Sequence, residues 1–148
     1  MTTFKPLVHS DIEEMVSMMQ DFYAIDNYPI EVDLTKKLFE EFLINENLGR
    51  AWLIYNKEEI VGYVILTFIF SFEYKGSIGF LDELYLSEKA RGKGIGKKTM
   101  NFIQIQAQEL KLKVIYLEVE NHNENAQKLY HGSHFSVHNR KLMKYIVI

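Results

Sequence analysis

Between Ser87 and Lys98 the chain reads SEKARGKGIGKK, with three glycines, Arg91 and four lysines in twelve residues. Glycines this close together let a backbone approach a ligand, and the surrounding cations favour a negative one. An apolar run, FLDELYL, precedes the loop, and a helical one, TMNFIQIQAQEL, follows it. In a strand–loop–helix arrangement the free N–H groups at the helix start point outward, at the positive end of the helix dipole, and suit a phosphate. Spacing decides which loop this is. An ATP-binding P-loop needs four residues between its glycines and a hydroxyl after its lysine; here three residues separate Gly92 from Gly96, and Lys98 occupies the hydroxyl position. A dinucleotide fingerprint starting at Gly92 and Gly94 needs a third glycine where Lys97 stands. The spacing that fits is R-x-x-G-x-G, with Arg91, Gly94 and Gly96. The expectation is a phosphate cradle built from the backbone of Arg91, Gly92, Lys93, Gly94, Ile95 and Gly96, with lysines adding screened attraction at its rim.

The elements around this loop follow from periodicity. Phe4–Val8 reads as a short strand, with Pro6 placing it at a sheet edge. SDIE then reads as a capping box, Ser10 with Glu13, opening a helix whose apolar stripe is Ile12, Met15, Met18, Met19, Phe22 and Tyr23. Asp33 is the expected cap of a second helix reaching about Leu43. From Arg50, the runs RAWLIY, IVGYVILTFIFSFEY and IGFLDELYL form an antiparallel meander rich in β-branched and aromatic residues. A helix from about Gly94 to Leu110 then joins FLDELYL to VIYLEV as a βαβ crossover, so those two strands run parallel. NHNENAQKLYHGS reads as a short helix after a turn, and HFSVHNRKLMKYIVI as a closing hairpin. No repeat or linker interrupts the chain, so residues 1–148 are expected to be a single domain.

Bulk properties narrow the function classes. The chain is 47% hydrophobic, which suits a folded globular protein. A net charge of −3, without aromatic residues interleaved among the cations, argues against nucleic acid as a partner. With no cysteine, thiolate catalysis, disulfides and cysteine-based zinc sites are excluded. The five histidines, His9, His122, His131, His134 and His138, lack metal-ligand spacing, so no metal is expected. The longest apolar stretch, IVGYVILTFIF, is shorter than the roughly 20 residues a membrane helix needs. The first residues also lack the pattern of a secretion signal. The expected location is the cytoplasm.

With its R-x-x-G-x-G loop, the sequence resembles the GNAT superfamily of acetyl-CoA-dependent N-acetyltransferases. A second motif of that family, N-x-x-A-x-x-[LF]-Y-x-x-x-G-F, is matched by NENAQKLYHGSHF through Asn123, Ala126, Leu129, Tyr130 and Phe135. His134 replaces the usual glycine of that motif, at a turn that favours φ > 0, and Gly132 is a candidate to have taken over the turn. The resemblance implies an α+β, three-layer fold. Its central sheet would be mixed but mostly antiparallel, with six to seven strands, a parallel βαβ crossover and about four flanking helices. It implies acetyl-CoA as cosubstrate, its pyrophosphate on the glycine loop and its pantetheine arm on the backbone of Leu84 and Leu86, where the strand bulges and splays from its parallel neighbour.

The implied reaction is direct attack of a primary amine on the thioester within a ternary complex. An alkylammonium with a pKa near 10 needs help to lose its proton. In polyamine- and thialysine-acetylating relatives an adjacent acidic pair handles the amine. Here that pair is Asp82 and Glu83, with Asp82 preferred as base and Glu83 as an amine-binding group. Tyr130 matches the family's general acid for the leaving thiolate, Asn123 the side chain that holds the pantetheine arm, and the Leu84 N–H the group that polarises the thioester carbonyl. Glu73, near the end of the longest strand, is a further acid that could line an amine pocket. These acids favour a cationic acceptor, a small molecule or a peptide. Relatives often dimerise, so a homodimer is possible. The alternative from another class is a CoA-binding or sensing domain that no longer turns over.

Overall fold

The computed structural model describes residues 1–148. In chain order the elements are β1 (Thr2–Pro6), α1 (Ile12–Ile25), α2 (Val32–Ile44), β2 (Gly49–Asn56), β3 (Glu59–Ser71), β4 (Gly76–Leu86), α3 (Ile95–Glu109), β5 (Ile115–Leu117) and α4 (Glu124–Gly132). The strands form one sheet in the order β1-β2-β3-β4-β5. Neighbours pair antiparallel except β4 and β5, which are parallel, as the α3 crossover requires. The mixed α+β sheet and four helices match expectation; the strand count does not. The sheet has five strands, not six to seven.

The chain divides into two compact units, Met1–Glu118 and Val119–Ile148. The first holds the sheet and α1 to α3. Alternation along its central strands explains why both sheet faces are covered. Ala51, Leu53, Tyr63 and Ile65 form one core with Met15, Val16 and Met19 of α1 and Phe39 of α2. Their strand neighbours Trp52, Ile54, Val64 and Leu66 are equally buried and face the other way. On that side Phe102 of α3 stacks on Phe4 at 4.1 Å and meets Trp52 edge-on at 5.3 Å. α3 buries Thr99, Met100, Ile103 and Ala107, a stripe at helical spacing. Each fully buried large aliphatic side chain contributes roughly 1.5–3 kcal/mol, so this two-faced core fixes the strands firmly.

The first two helices begin differently from expectation. A short 3-10 turn, His9–Asp11, precedes α1. The carboxylate of Asp11 closes that turn, accepting the Val8 N–H at 3.1 Å and pairing with Lys5, and neither Ser10 nor Asp11 caps α1 through its side chain. Glu31 occupies the cap position of α2, and Asp33 lies within its first turn, where a negative charge still favours the helix dipole.

In the second unit, α4 is capped by Asn123, whose Oδ1 accepts the Ala126 N–H at 3.0 Å. The turn after it is closed by Ser133 and Phe135 N–H groups, both donating to the Tyr130 carbonyl at 3.0 Å. His134 itself adopts φ +73°, while Gly132 stays within the helix, so Gly132 has not taken over the turn. The expected closing hairpin is absent: no strand follows α4, and Val137, Leu142, Met143 and Tyr145 are exposed. An isolated hairpin is marginal in water, and this unit offers only one short helix against which to bury an apolar face. No helix of the chain is long and apolar enough to cross a membrane.

Candidate active site

The register of β3 against β4 runs Leu66↔Leu81 and then Ile65↔Glu83, which leaves Asp82 as the extra residue of a β-bulge. In a regular strand Leu81 and Glu83 would share a face. The bulge separates them: Leu81 stays opposite Leu66 on the α3 side, and Glu83 turns with Tyr85 to the side covered by α1 and α2. Both acids of the pair are thereby presented near one another instead of on opposite faces. Asp82 remains exposed at the bulge, whereas Glu83 is half-buried.

Their environments differ. The Tyr23 hydroxyl donates to Glu83 Oε2 at 2.7 Å, and the Tyr63 hydroxyl donates to Oε1 at 2.7 Å. Burial pushes the Glu83 carboxyl up, the two phenolic hydrogen bonds pull it back down, and the charge of Asp82 adds to the rise. Asp82 is also raised, first by loss of hydration and then by the neighbouring carboxylate of Glu118, with no hydrogen bond to oppose the rise. Burial and the Glu83 carboxylate push both phenols well above the ordinary tyrosine range, so each stays protonated and donating.

The β4–β5 pairing ends at Leu81↔Leu117, immediately before the bulge. From Asp82 to Leu86, β4 has no neighbour on that side. The Ser87 N–H donates to the Val61 carbonyl at 2.8 Å, which sets the alternation of the antiparallel ladder. Glu83 and Tyr85 therefore direct their backbone groups toward β3, and Leu84 and Leu86 direct theirs to the open side. Arg91 Nε donates to the outward Leu86 carbonyl at 3.1 Å, which ties the glycine loop to the strand end.

Within the loop, the Arg91 N–H is committed to the Glu88 carbonyl at 3.2 Å. The free backbone donors thus begin at Gly92. Gly92 and Gly94 take φ +74° and +76°, left-handed conformations in which a side chain is strained. A Cβ at either would meet nothing within 4 Å, so backbone conformation, not crowding by the protein, requires glycine. Gly94 caps α3, and the first helical bond runs from the Lys98 N–H to the Gly94 carbonyl. The N–H groups of Ile95, Gly96 and Lys97 precede it, without helical partners. Lys89 is ion-paired with Glu59.

The structure brings Asp82, Glu83, Leu84 and Leu86 together on one strand that leads directly into the loop. Asn123 and Tyr130 lie in the second unit, where burial pushes the Tyr130 phenol up and its ring sits 6.0 Å from that of Phe135. Glu73 falls in the β3–β4 turn, six strand residues or about 20 Å from Asp82, and does not join the acids. No group of three or more His, Cys, Asp or Glu side chains is arranged to hold a metal. Sequence reading missed Tyr23 and Tyr63 as partners of Glu83, and Glu118 as neighbour of Asp82. The signal for Glu118 was the parallel register, which sets it beside Asp82 one step beyond Leu81 and Leu117. The signal for the tyrosines was the carboxylate itself, since a half-buried charge in an apolar strand demands donors.

The fold is shared with known proteins. An integron cassette protein from the mobile metagenome of the Cole Harbour salt marsh matches with a TM-score of 0.88 at 28% identity, over 98% of this chain and 90% of that one. A predicted acetyltransferase from Clostridium acetobutylicum, solved with acetyl-CoA, shares the fold with a TM-score of 0.79 at 20% identity, over 98% of this chain and 96% of that one. The D-amino-acid N-acetyltransferase HPA3 of Saccharomyces cerevisiae is 37% identical over 51 residues, 34% of this chain and 32% of that protein. The chain thus matches about a third of that relative's length. The model of the acetyltransferase (GNAT) family matches residues 12–135, a span that includes the bulged strand, the glycine loop and α4. The chain belongs to the GNAT family of acetyltransferases.

Proposed function

We propose that this protein moves the acetyl group of acetyl-CoA to a primary amine of a small molecule or peptide, by direct attack within a ternary complex. The observation that carries the reading is the point where β4 parts from β5. There the bulged Asp82, the outward backbone of Leu84 and Leu86, and the start of α3 succeed one another along the chain. A pantetheine arm adds to Leu84 and Leu86 as a short strand would. Its pyrophosphate meets the N–H groups that run from Gly92 into the first turn of α3. The open space beside Gly92 and Gly94 fits that assignment.

The transfer then needs few parts. Asp82, directly or through a water, takes a proton from the acceptor ammonium. The freed nitrogen bonds to the thioester carbonyl carbon, whose oxygen is held by the Leu84 N–H. The carbon–sulfur bond breaks, the thiolate takes a proton from Tyr130, and the second proton of the attacking nitrogen, lost as the amide forms, passes through water to restore the phenol. Burial raises the Tyr130 phenol above its ordinary value, which keeps it protonated at neutral pH and also makes it a weaker acid toward the thiolate. Asn123 caps α4 and also holds the pantetheine arm. Asp82, Glu83 and Glu118 give the acceptor side a negative potential, which favours diamines, polyamines, aminoglycosides and lysine-like amines. The yeast relative's name adds D-amino acids to the set worth testing.

The test is a panel of such amines with acetyl-CoA, read as free thiol released. Since the chain has no cysteine, the only thiol formed is CoA. Turnover on at least one cationic amine is expected. Thermal stabilisation by acetyl-CoA with no turnover across the panel would replace this reading with a CoA-binding domain that does not transfer.

A further inference from the structure

Glu83 differs from the other acids of the site in having both its oxygens held by protein donors. One donor comes from α1 and one from β3, 60 and 20 residues distant in sequence, each at 2.7 Å. Tyr63 is fully buried, and Tyr23 lies at the edge of the same aromatic cluster: its ring is 6.1 Å from Phe22, which in turn contacts Tyr63 and Tyr85. A phenol in such a place needs a hydrogen-bond partner, and Glu83 supplies one to each. Asp82, one residue away, has no such donors and remains exposed.

We propose that Tyr23 and Tyr63 are positioning residues, a two-armed clamp that fixes Glu83 as the acceptor-binding carboxylate and leaves proton transfer to Asp82. The proposal rests on the acetyltransferase reading and assigns the two acids their separate tasks. A carboxylate has about four lone-pair sites, so two phenols leave room for an ammonium to donate as well. Each donated hydrogen bond favours the charged form and so makes Glu83 a poorer acceptor of a proton. The clamp also links α1 to β4, so the helix that covers this face is held to the carboxylate.

The charged and titratable groups around Glu83 are few. On α1 they are Tyr23 and Asp21, the latter acting on Tyr85; on β3, Tyr63; on β4 and its loop, Asp82, Tyr85 and Arg91; after β5, Glu118, acting on Asp82. Among these only the two tyrosines hydrogen-bond to Glu83. Replacing either by phenylalanine preserves ring packing and removes one donor, so the titration of Glu83 moves upward.

Two readouts test this. Carbon-13 NMR of glutamate side-chain carboxyls, with the Glu83 signal assigned by its loss in Glu83→Gln, follows Glu83 without any need for turnover. In Tyr23→Phe and in Tyr63→Phe its titration midpoint should rise by about one pH unit or more. With an amine found active, the acid limb of kcat/KM should rise by a similar amount in both variants. Acceptor KM near neutral pH should increase more than kcat falls. An unchanged Glu83 midpoint in a folded Tyr23→Phe variant overturns the clamp, even if Tyr63→Phe fails to fold. A shifted midpoint with an unmoved kcat/KM profile overturns its role in the reaction. Absence of turnover in the wild-type protein is a separate failure, of the acetyltransferase reading, and leaves the NMR result to decide the clamp.

Discussion

Substitutions at Gly94 separate the loop's conformational requirement from its proposed ligand role. Gly94 has φ +76° and caps α3, and a Cβ there meets nothing within 4 Å. Alanine therefore incurs no clash in the protein alone. Its cost is the left-handed backbone, about 1–2 kcal/mol. For a chain of this size each kcal/mol lowers Tm by about 2–4 °C, so Gly94→Ala should melt roughly 2–8 °C below the wild type. Asparagine tolerates the left-handed region far better, so Gly94→Asn should melt closer to wild type.

Acetyl-CoA should rank the variants differently. If a pyrophosphate approaches the N–H groups at this helix start, any side chain at 94 stands in its path, and asparagine, the longer of the two, obstructs more. Loss of one charge-assisted hydrogen bond is worth about 1.5–3 kcal/mol, so affinity should fall at least tenfold, to roughly a hundredfold. Calorimetric titration with acetyl-CoA and thermal melts with and without it measure both quantities on the same samples. The expected pattern is crossed: Gly94→Asn is the more stable variant and the weaker binder. Wild-type affinity in Gly94→Asn would refute the phosphate cradle. A melt unchanged in Gly94→Ala would refute the conformational argument.

Tyr130→Phe should lower kcat while leaving acetyl-CoA affinity nearly unchanged; an unchanged kcat removes Tyr130 as the acid. His134→Gly relieves a left-handed backbone but frees the unfolded chain, two effects of about 1–2 and 0.4–1 kcal/mol, so denaturant melts should show a net gain of roughly 0.8 kcal/mol. Glu83→Gln should raise Tm at pH 8, because a carboxyl whose folded pKa lies above its unfolded value destabilises the native state once it ionises. That gain should shrink as pH falls through the folded pKa of Glu83, and a gain that grows in acid would contradict the sign. The same variant should lose acceptor affinity, so stability and function move in opposite directions.

What could be read in advance was whatever a local pattern dictates. The order of strands β2 to β4, the α3 crossover and the glycine loop each follow from periodicity or from the backbone demands of a few residues. The limits of the sheet did not follow. VIYLEV has the apolar density of a full strand, yet only Ile115–Leu117 pair, because β4 bulges at the next residue and parts from it. The C-terminal run has the alternation of a hairpin and no partner within its own unit against which to bury it. In both cases the deciding term is what lies across the ladder, which a local pattern does not contain.

The same division runs through the site. Gly92 and Gly94 are legible because the turn into α3 demands left-handed backbone there, and Asn123 because a helix cap is a local bond. Asp82 and Glu83 were legible as residues but not as roles, since a bulge is set by register with Leu66 and Ile65 and not by the dipeptide. Without the bulge Glu83 would share Leu81's face, out of reach of Tyr63 on the other, and its hydrogen bonds to β3 and α1 would not exist. The proton affinity of that carboxyl is thus set by its burial, which raises it, and by two tyrosines that belong to no motif and lower it. It follows that a chain could keep R-x-x-G-x-G and the acidic pair intact, replace Tyr23 or Tyr63, and retain its cosubstrate while changing the amine it accepts and the pH at which it works.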